Sequence, residues 1–62
     1  MSNSEAQRIL TQLGFRPGPV DGTFGERTVS ALISFQREKG LIPTGKLDHE
    51  TIEALRAAKR SL

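Results

Sequence analysis

Few residues of this 62-residue chain have the chemistry to react with or hold a ligand. Cysteine is absent, so there is no thiol nucleophile, no disulfide and no cysteine-based zinc site. The lone histidine, His49, stands between Asp48 and Glu50. Adjacent residues at a helix start point to different sides and do not converge on one ion, so no metal site is expected there. No nucleophile–base pair and no pair of isolated carboxylates is placed for acid–base work. A chain of this size also has little volume with which to wrap a substrate. That combination argues against an enzyme and calls for no cofactor. What remains is binding chemistry. Asp21 can accept a hydrogen bond from a hydroxyl or an amide, although Asp-Gly suits a self-closing turn so well that this is the stronger reading. Phe15 follows a helix-ending glycine and can pack back or face a groove. Phe24 reads as a core anchor more readily than as a stacking platform, and Phe35 lies beside an apolar stripe. Gln36 falls on that stripe, where an amide must find partners; bonding loop backbone and so locking the Pro-Gly turn is the favoured role.

Three helices can position these residues. The first is expected over about Glu5–Leu13, with Ser4 and Gln7 as a capping box and Ala6, Ile9, Leu10 and Leu13 as one apolar face. Gly14 supplies its stop. Phe15–Gly25 is a loop rich in Gly and Pro, pre-bent rather than slack. The second helix is expected over about Glu26–Lys39, with Gly25 as its cap and Val29, Leu32, Ile33 and Gln36 as its buried stripe, Ala31 and Phe35 beside it. Leu41-Ile42-Pro43 makes a short extended link, because Pro43 holds Ile42 out of helical geometry. The third helix is expected over about His49–Arg60, capped by Asp48 and offering Ile52, Leu55, Ala58 and Leu62 to the core. No stretch alternates long enough to argue a sheet. The fold class is all-α: a small three-helix bundle forming one module over 1–62, with a core of about 4–58.

One pattern occurs twice. Gly22-Thr23-Phe24-Gly25-Glu26-Arg27-Thr28-Val29-Ser30-Ala31-Leu32 returns 23 residues later as Gly45-Lys46-Leu47-Asp48-His49-Glu50-Thr51-Ile52-Glu53-Ala54-Leu55. Each copy gives a glycine turn, an apolar anchor, a cap and a helix start. Phe24 and Val29, and again Leu47 and Ile52, have the spacing of a hydrophobic staple. Thr28 and Thr51 fall where a hydroxyl can bond back toward the cap. The copies differ in what precedes them, so recognition is expected at the first loop, with the second copy as scaffold.

The repeat and its flanks resemble the peptidoglycan-binding module found beside many bacterial cell-wall hydrolases. The residues that carry the resemblance are Gln7 with Ile9-Leu10, Leu13-Gly14-Phe15, and Pro17-Gly18-Pro19-Val20-Asp21-Gly22-Thr23-Phe24-Gly25. Thr28, Ala31, Phe35-Gln36, Gly40-Leu41, Thr44-Gly45, Leu47-Asp48, Thr51 and Leu55 continue it. The resemblance covers about Ala6–Leu55 and implies a three-helix module that tethers an enzyme to murein. Ala6 replaces a Leu that the family favours, and Phe15 stands where the family often has Tyr. With no Trp or Tyr in the chain, stacking on sugar rings is poorly supplied. Recognition of the peptide stem, or of the glycan–peptide junction, is therefore preferred. The candidate ligand-binding residues are Phe15, Arg16, Asp21, Thr23, Phe24 and Gln36.

The remaining expectations concern partners. A net charge of +2 is mild. Arg56, Lys59 and Arg60 suit a helix C-terminus better than a ligand site. Nucleic acid is an unfavourable partner, because the third helix opens with Asp48, Glu50 and Glu53, whose sign is wrong for phosphate. No apolar run approaches the roughly 20 residues that span a bilayer, so no membrane partner is expected. A monomer is expected, either bound to murein or packed on a linked hydrolase domain. The start Met1-Ser2-Asn3-Ser4-Glu5 lacks the basic and apolar regions of a signal peptide. A place in the cell envelope or outside the cell would then belong to a longer exported protein.

Overall fold

The computed structural model describes residues 1–62 and contains three helices and no strands: α1 (Asn3–Gln12), α2 (Glu26–Glu38) and α3 (His49–Arg60). α1 packs on both α2 and α3, and the molecule measures 24 × 23 × 19 Å. The all-α three-helix fold is thus the one the apolar spacing predicts. No helix is long and apolar enough to cross a membrane.

The starts of α2 and α3 fall where the repeat places them. Gly25 is the N-cap of α2, without a side-chain bond, and Asp48 caps α3 by accepting from the Thr51 N–H. The start of α1 differs. Ser2, not Ser4, is the cap, with its hydroxyl accepting from the Glu5 N–H at 3.1 Å. Two overlapping Ser-x-x-Glu/Gln patterns compete here. The pattern beginning at Ser2 prevails because the Gln7 amide is committed to the loop, as described below. α2 ends one residue earlier than expected, with Lys39 as its C-cap.

α1 and α2 end in the same way. The Phe15 N–H reaches the Leu10 carbonyl at 2.9 Å, and the Leu41 N–H reaches the Gln36 carbonyl at 2.8 Å. The intervening Gly14 and Gly40 take φ of +93° and +72°. This is the Schellman closure, and it needs a residue that tolerates the left-handed region.

The core comprises Ala6, Ile9, Leu10, Ala31, Leu32, Phe35 and Leu55. Phe15, Phe24, Leu47 and Ala58 are among the partly buried residues packed around it. The α2 face is rotated from its expected stripe. Thr28, Ala31, Leu32, Phe35 and Gln36 are buried, while Val29 and Ile33 are half-buried. The rotation follows from the second loop: Val29 and Ile33 are the residues that approach Gly45. Leu62 lies beyond α3 and is exposed rather than part of the core.

Candidate functional site

Each loop is held by one buried glutamine. Gln7, on the inner face of α1, is fully buried. Its Oε1 accepts the N–H groups of Asp21 at 3.0 Å and Gly22 at 2.9 Å. Its Nε2 donates to the Thr23 carbonyl at 2.8 Å, to Thr28 Oγ1 at 3.1 Å and to Asp21 Oδ1 at 3.2 Å. Thr28 passes the network on, with its hydroxyl donating to the Pro17 carbonyl at 2.8 Å. A single amide thus ties the end of the loop, its turn and the first turn of α2 to α1.

Gln36 repeats the arrangement from α2. Its Oε1 accepts the Gly45 N–H at 2.9 Å. Its Nε2 donates to Thr51 Oγ1 at 2.9 Å, Thr44 Oγ1 at 3.1 Å and the Lys46 carbonyl at 3.2 Å. The Thr51 hydroxyl donates to Asp48 Oδ1, and Thr44 donates to Asp48 Oδ2 at 2.8 Å. No buried side-chain polar atom in the molecule lacks a partner, as the cost of an unpaired buried amide demands. Each copy of the repeat thus supplies the glycine N–H and the threonine hydroxyl that a glutamine outside it clasps. The clasped glycine lies 15 residues after Gln7 and 9 after Gln36, so the first clasp holds the longer segment.

Outside each clasp is an open groove. The first, of about 300 Å³, is lined by Pro17, Pro19, Asp21, Thr23, Glu26 and Arg27, together with Gly25 and Thr28. The second, of about 310 Å³, is lined by Gly40, Leu41, Ile42, Thr44, Asp48 and Glu50. Thr44, Asp48 and Glu50 occupy the places that Asp21, Gly25 and Arg27 hold in the first copy. A separate apolar hollow of about 460 Å³, lined by Leu13, Leu41, Ala54, Ala57, Ala58 and Leu62 among others, lies at the far ends of the helices.

Asp21 closes its own turn: Oδ1 accepts the Thr23 N–H at 2.9 Å. That bond, followed by the one from Gln7, holds its carboxyl below the ordinary aspartate range, against a smaller opposing effect of desolvation. The Asp48 carboxyl is lowered too, first by the Thr51 hydroxyl and then by Thr44.

The structure brings Asp21 and Thr23 together in the first groove and disperses the other expected ligand residues. Phe15 turns inward and meets the Phe35 ring edge-on, with centroids 5.9 Å apart and planes at 86°. Phe24 is half-buried and borders a different hollow with Val29. Arg16 is exposed and lines neither groove. Gln36 is fully buried and clasps the second loop, not the Pro-Gly-Pro segment of the first. The equivalent role at the first loop belongs to Gln7, which the sequence presents as part of a capping box. Its place on the apolar face with Ala6 and Leu10 was the signal for it. Glu26 and Arg27 complete the groove wall, and only their position one and two residues after the cap marks them. His49 is exposed, and no three His, Asp or Glu side chains converge as metal ligands.

Comparison with known proteins gives the same outline. A family described as "Putative peptidoglycan binding domain" matches residues 4–55, which include both clasps and both grooves. The localization factor PodJL of Caulobacter vibrioides is 46% identical over 50 residues, covering 81% of this chain and 5% of that protein. The N-acetylmuramoyl-L-alanine amidase CwlM of Mycobacterium tuberculosis is 49% identical over 49 residues, covering 79% of this chain and 12% of that protein. "Putative OxPP cycle protein OpcA" of Synechococcus elongatus is 41% identical over 58 residues, covering 94% of this chain and 13% of that protein. The chain thus spans a small fraction of each of these relatives. No solved structure gives a significant match.

Proposed function

The chain belongs to the peptidoglycan-binding domain family, and from that premise we propose that it is a non-catalytic module that tethers or targets a linked enzyme to murein. The observation that carries this reading is the first clasp. Gln7 fixes a Gly/Pro-rich loop against α1 by four hydrogen bonds and the start of α2 by a fifth, and leaves an open groove lined by charged, hydroxyl and proline residues on its outer side. A loop already ordered before binding avoids part of the entropic cost of holding a ligand. Nothing in the groove pairs a nucleophile with a base, which favours binding over catalysis.

The proposed ligand is the stem peptide or its junction with the glycan, met by Asp21 and Thr23. Phe15, Phe24 and Gln36 support the loops from inside, and Arg16, exposed near the start of the first loop, stays outside the groove. A small groove binds weakly on its own, and its use lies in raising the local concentration of whatever is attached to it. The amidase named among the relatives is consistent with an attached cell-wall enzyme. On this reading the protein works in the cell envelope or outside the cell as part of a longer exported chain, without nucleic acid or membrane as partner. Sedimentation with purified sacculi tests it: the protein is expected in the pellet above an unrelated control of equal size. Equal distribution of the two would remove the reading.

A second reading is favoured by the apolar hollow at the helix ends and by relatives named for localization and for the OxPP cycle rather than for the cell wall. In it the same fold packs on a partner catalytic domain. NMR titration separates the two, since shifts at Leu41, Ala57 and Ala58 with a linked domain, and none with muropeptide, would favour the second.

A further inference from the structure

The two grooves share one backbone frame and differ in charge. Asp21 stands where the second copy has Thr44, and Arg27 where it has Glu50. In the first groove Arg27 lines the same hollow as two carboxylates, Asp21 and Glu26. It pairs with neither, because the ion pairs of the molecule are Arg56–Glu53 and Lys59–Glu5. Opposite charges that share a hollow without neutralising each other leave both signs open to a ligand. Nor does the Arg27 side chain float free. It lies along the loop at Gly18, where a Cβ would stand 3.5 Å from its Cδ and 3.8 Å from its Nη1. Asp21 is half committed: Oδ1 receives Gln7 and Thr23, while Oδ2 receives no protein donor. The charged groups of the second groove are carboxylates alone, and both oxygens of Asp48 are engaged by Thr44 and Thr51.

We propose that the first groove receives a dipolar peptide end, one that carries a carboxylate and an ammonium close together. Arg27 binds the carboxylate, for which a guanidinium offers two parallel donors. Asp21 Oδ2 and Glu26 receive the ammonium. The proposal rests on the peptidoglycan reading and names the part of the polymer that is recognised: the uncrosslinked end of a diamino acid in the stem peptide, where an amine and a carboxyl share one carbon. In the second groove Glu50 would repel the carboxylate, so that groove is not a second copy of the site.

Isothermal titration and NMR with three peptides test this. The first is L-Ala-γ-D-Glu-meso-diaminopimelate, the second the same peptide amidated at the distal carboxyl, and the third the same peptide acetylated at the distal amine. Chitotetraose serves as the peptide-free glycan. The free peptide is expected to bind, with shifts at Asp21, Glu26 and Arg27, and each blocked form to bind at least about tenfold more weakly. Arg27→Gln, an exposed substitution that spares the core, is expected to abolish the penalty of amidation while keeping that of acetylation. Equal affinity for all three peptides, shifts centred on Thr44–Glu50, or binding of chitotetraose alone would overturn the proposal. If sacculi still pellet the protein in any of those cases, the peptidoglycan reading stands and only the dipolar site falls. If neither sacculi nor any peptide binds, both fall.

Discussion

A fully buried glutamine on a small helical domain is a costly choice unless every hydrogen-bonding atom is used, and Gln7 uses all of its own. Removing it leaves the Asp21 and Gly22 N–H groups and the Thr23 carbonyl without their partner. Gln7→Ala is therefore expected to cost about 2–4 kcal/mol, the scale of several lost bonds plus a polar cavity. Chemical denaturation measures the loss, and hydrogen exchange should speed up first at Asp21 and Gly22. The two clasp aspartates set a pH dependence. Both carboxyls sit below the ordinary aspartate value when folded. Their contribution is thus present above about pH 4, where the unfolded groups are ionised. It is lost as pH falls through the lower folded values. Asp21 is exposed and Asp48 only half-buried, so the effect is modest. Asp21→Asn keeps the Oδ1 acceptor and removes the charge, and should flatten the acid side of the stability curve. An unchanged slope below about pH 4 in Asp21→Asn/Asp48→Asn would exclude these two groups as its source.

At the scale of elements, the duplicated object is a loop, a cap and a helix start, and its limits were plain in the sequence. The bounds of α3 and the caps Gly25 and Asp48 could be read from turn residues and staple spacing alone. The start of α1 could not, because Ser2 and Ser4 offer overlapping caps and only the tertiary demand on Gln7 decides between them. The clasps were half legible. Gln36 showed as a buried amide, but its partners lie in a loop that periodicity does not place. Arg27 was marked only by its place two residues after the cap, since the groove that sets it beside Asp21 is a tertiary feature. The second loop also shows why a turn glycine cannot always be replaced. At Gly45, with φ +72°, a Cβ would come 2.9 Å from Val29 Cγ1 and 3.4 Å from Ile33 Cδ1. At Gly14, with φ +93°, it would meet nothing within 4 Å. Gly14→Ala should cost about 1–2 kcal/mol, from backbone strain alone. Gly45→Ala adds overpacking and should cost about 1–3 kcal/mol more. Thermal denaturation of the two variants side by side measures the difference, and equal losses would show that the contact with Val29 relaxes freely.

The whole molecule has little stability to spare. A chain of 62 residues is expected to be stable by about 3–9 kcal/mol in total, and it has no disulfide to help. Its core is seven residues, of which Phe35 is the largest and is fully buried. Truncating a buried Phe to Ala costs about 3–5 kcal/mol, which is comparable with the whole. Phe35→Ala is therefore expected to be largely unfolded by circular dichroism at the temperature where the parent is folded. Phe15 sits only half inside, T-shaped against the Phe35 ring, so Phe15→Ala should leave a folded protein with a lowered melting temperature. Phe35→Leu fills most of the space, lacks the ring, and makes a double-mutant cycle with Phe15→Ala measurable. A coupling of about 0.5–1.5 kcal/mol is expected if the aromatic pair contributes beyond its buried area. A coupling near zero would mean that Phe15 supports the loop by burial alone. Because Phe15 also begins the segment that Gln7 closes, the same cycle followed by peptide titration reports whether loosening the core end of the loop opens the groove. If it does, affinity should fall in Phe15→Ala while the charges at Asp21 and Arg27 stay in place.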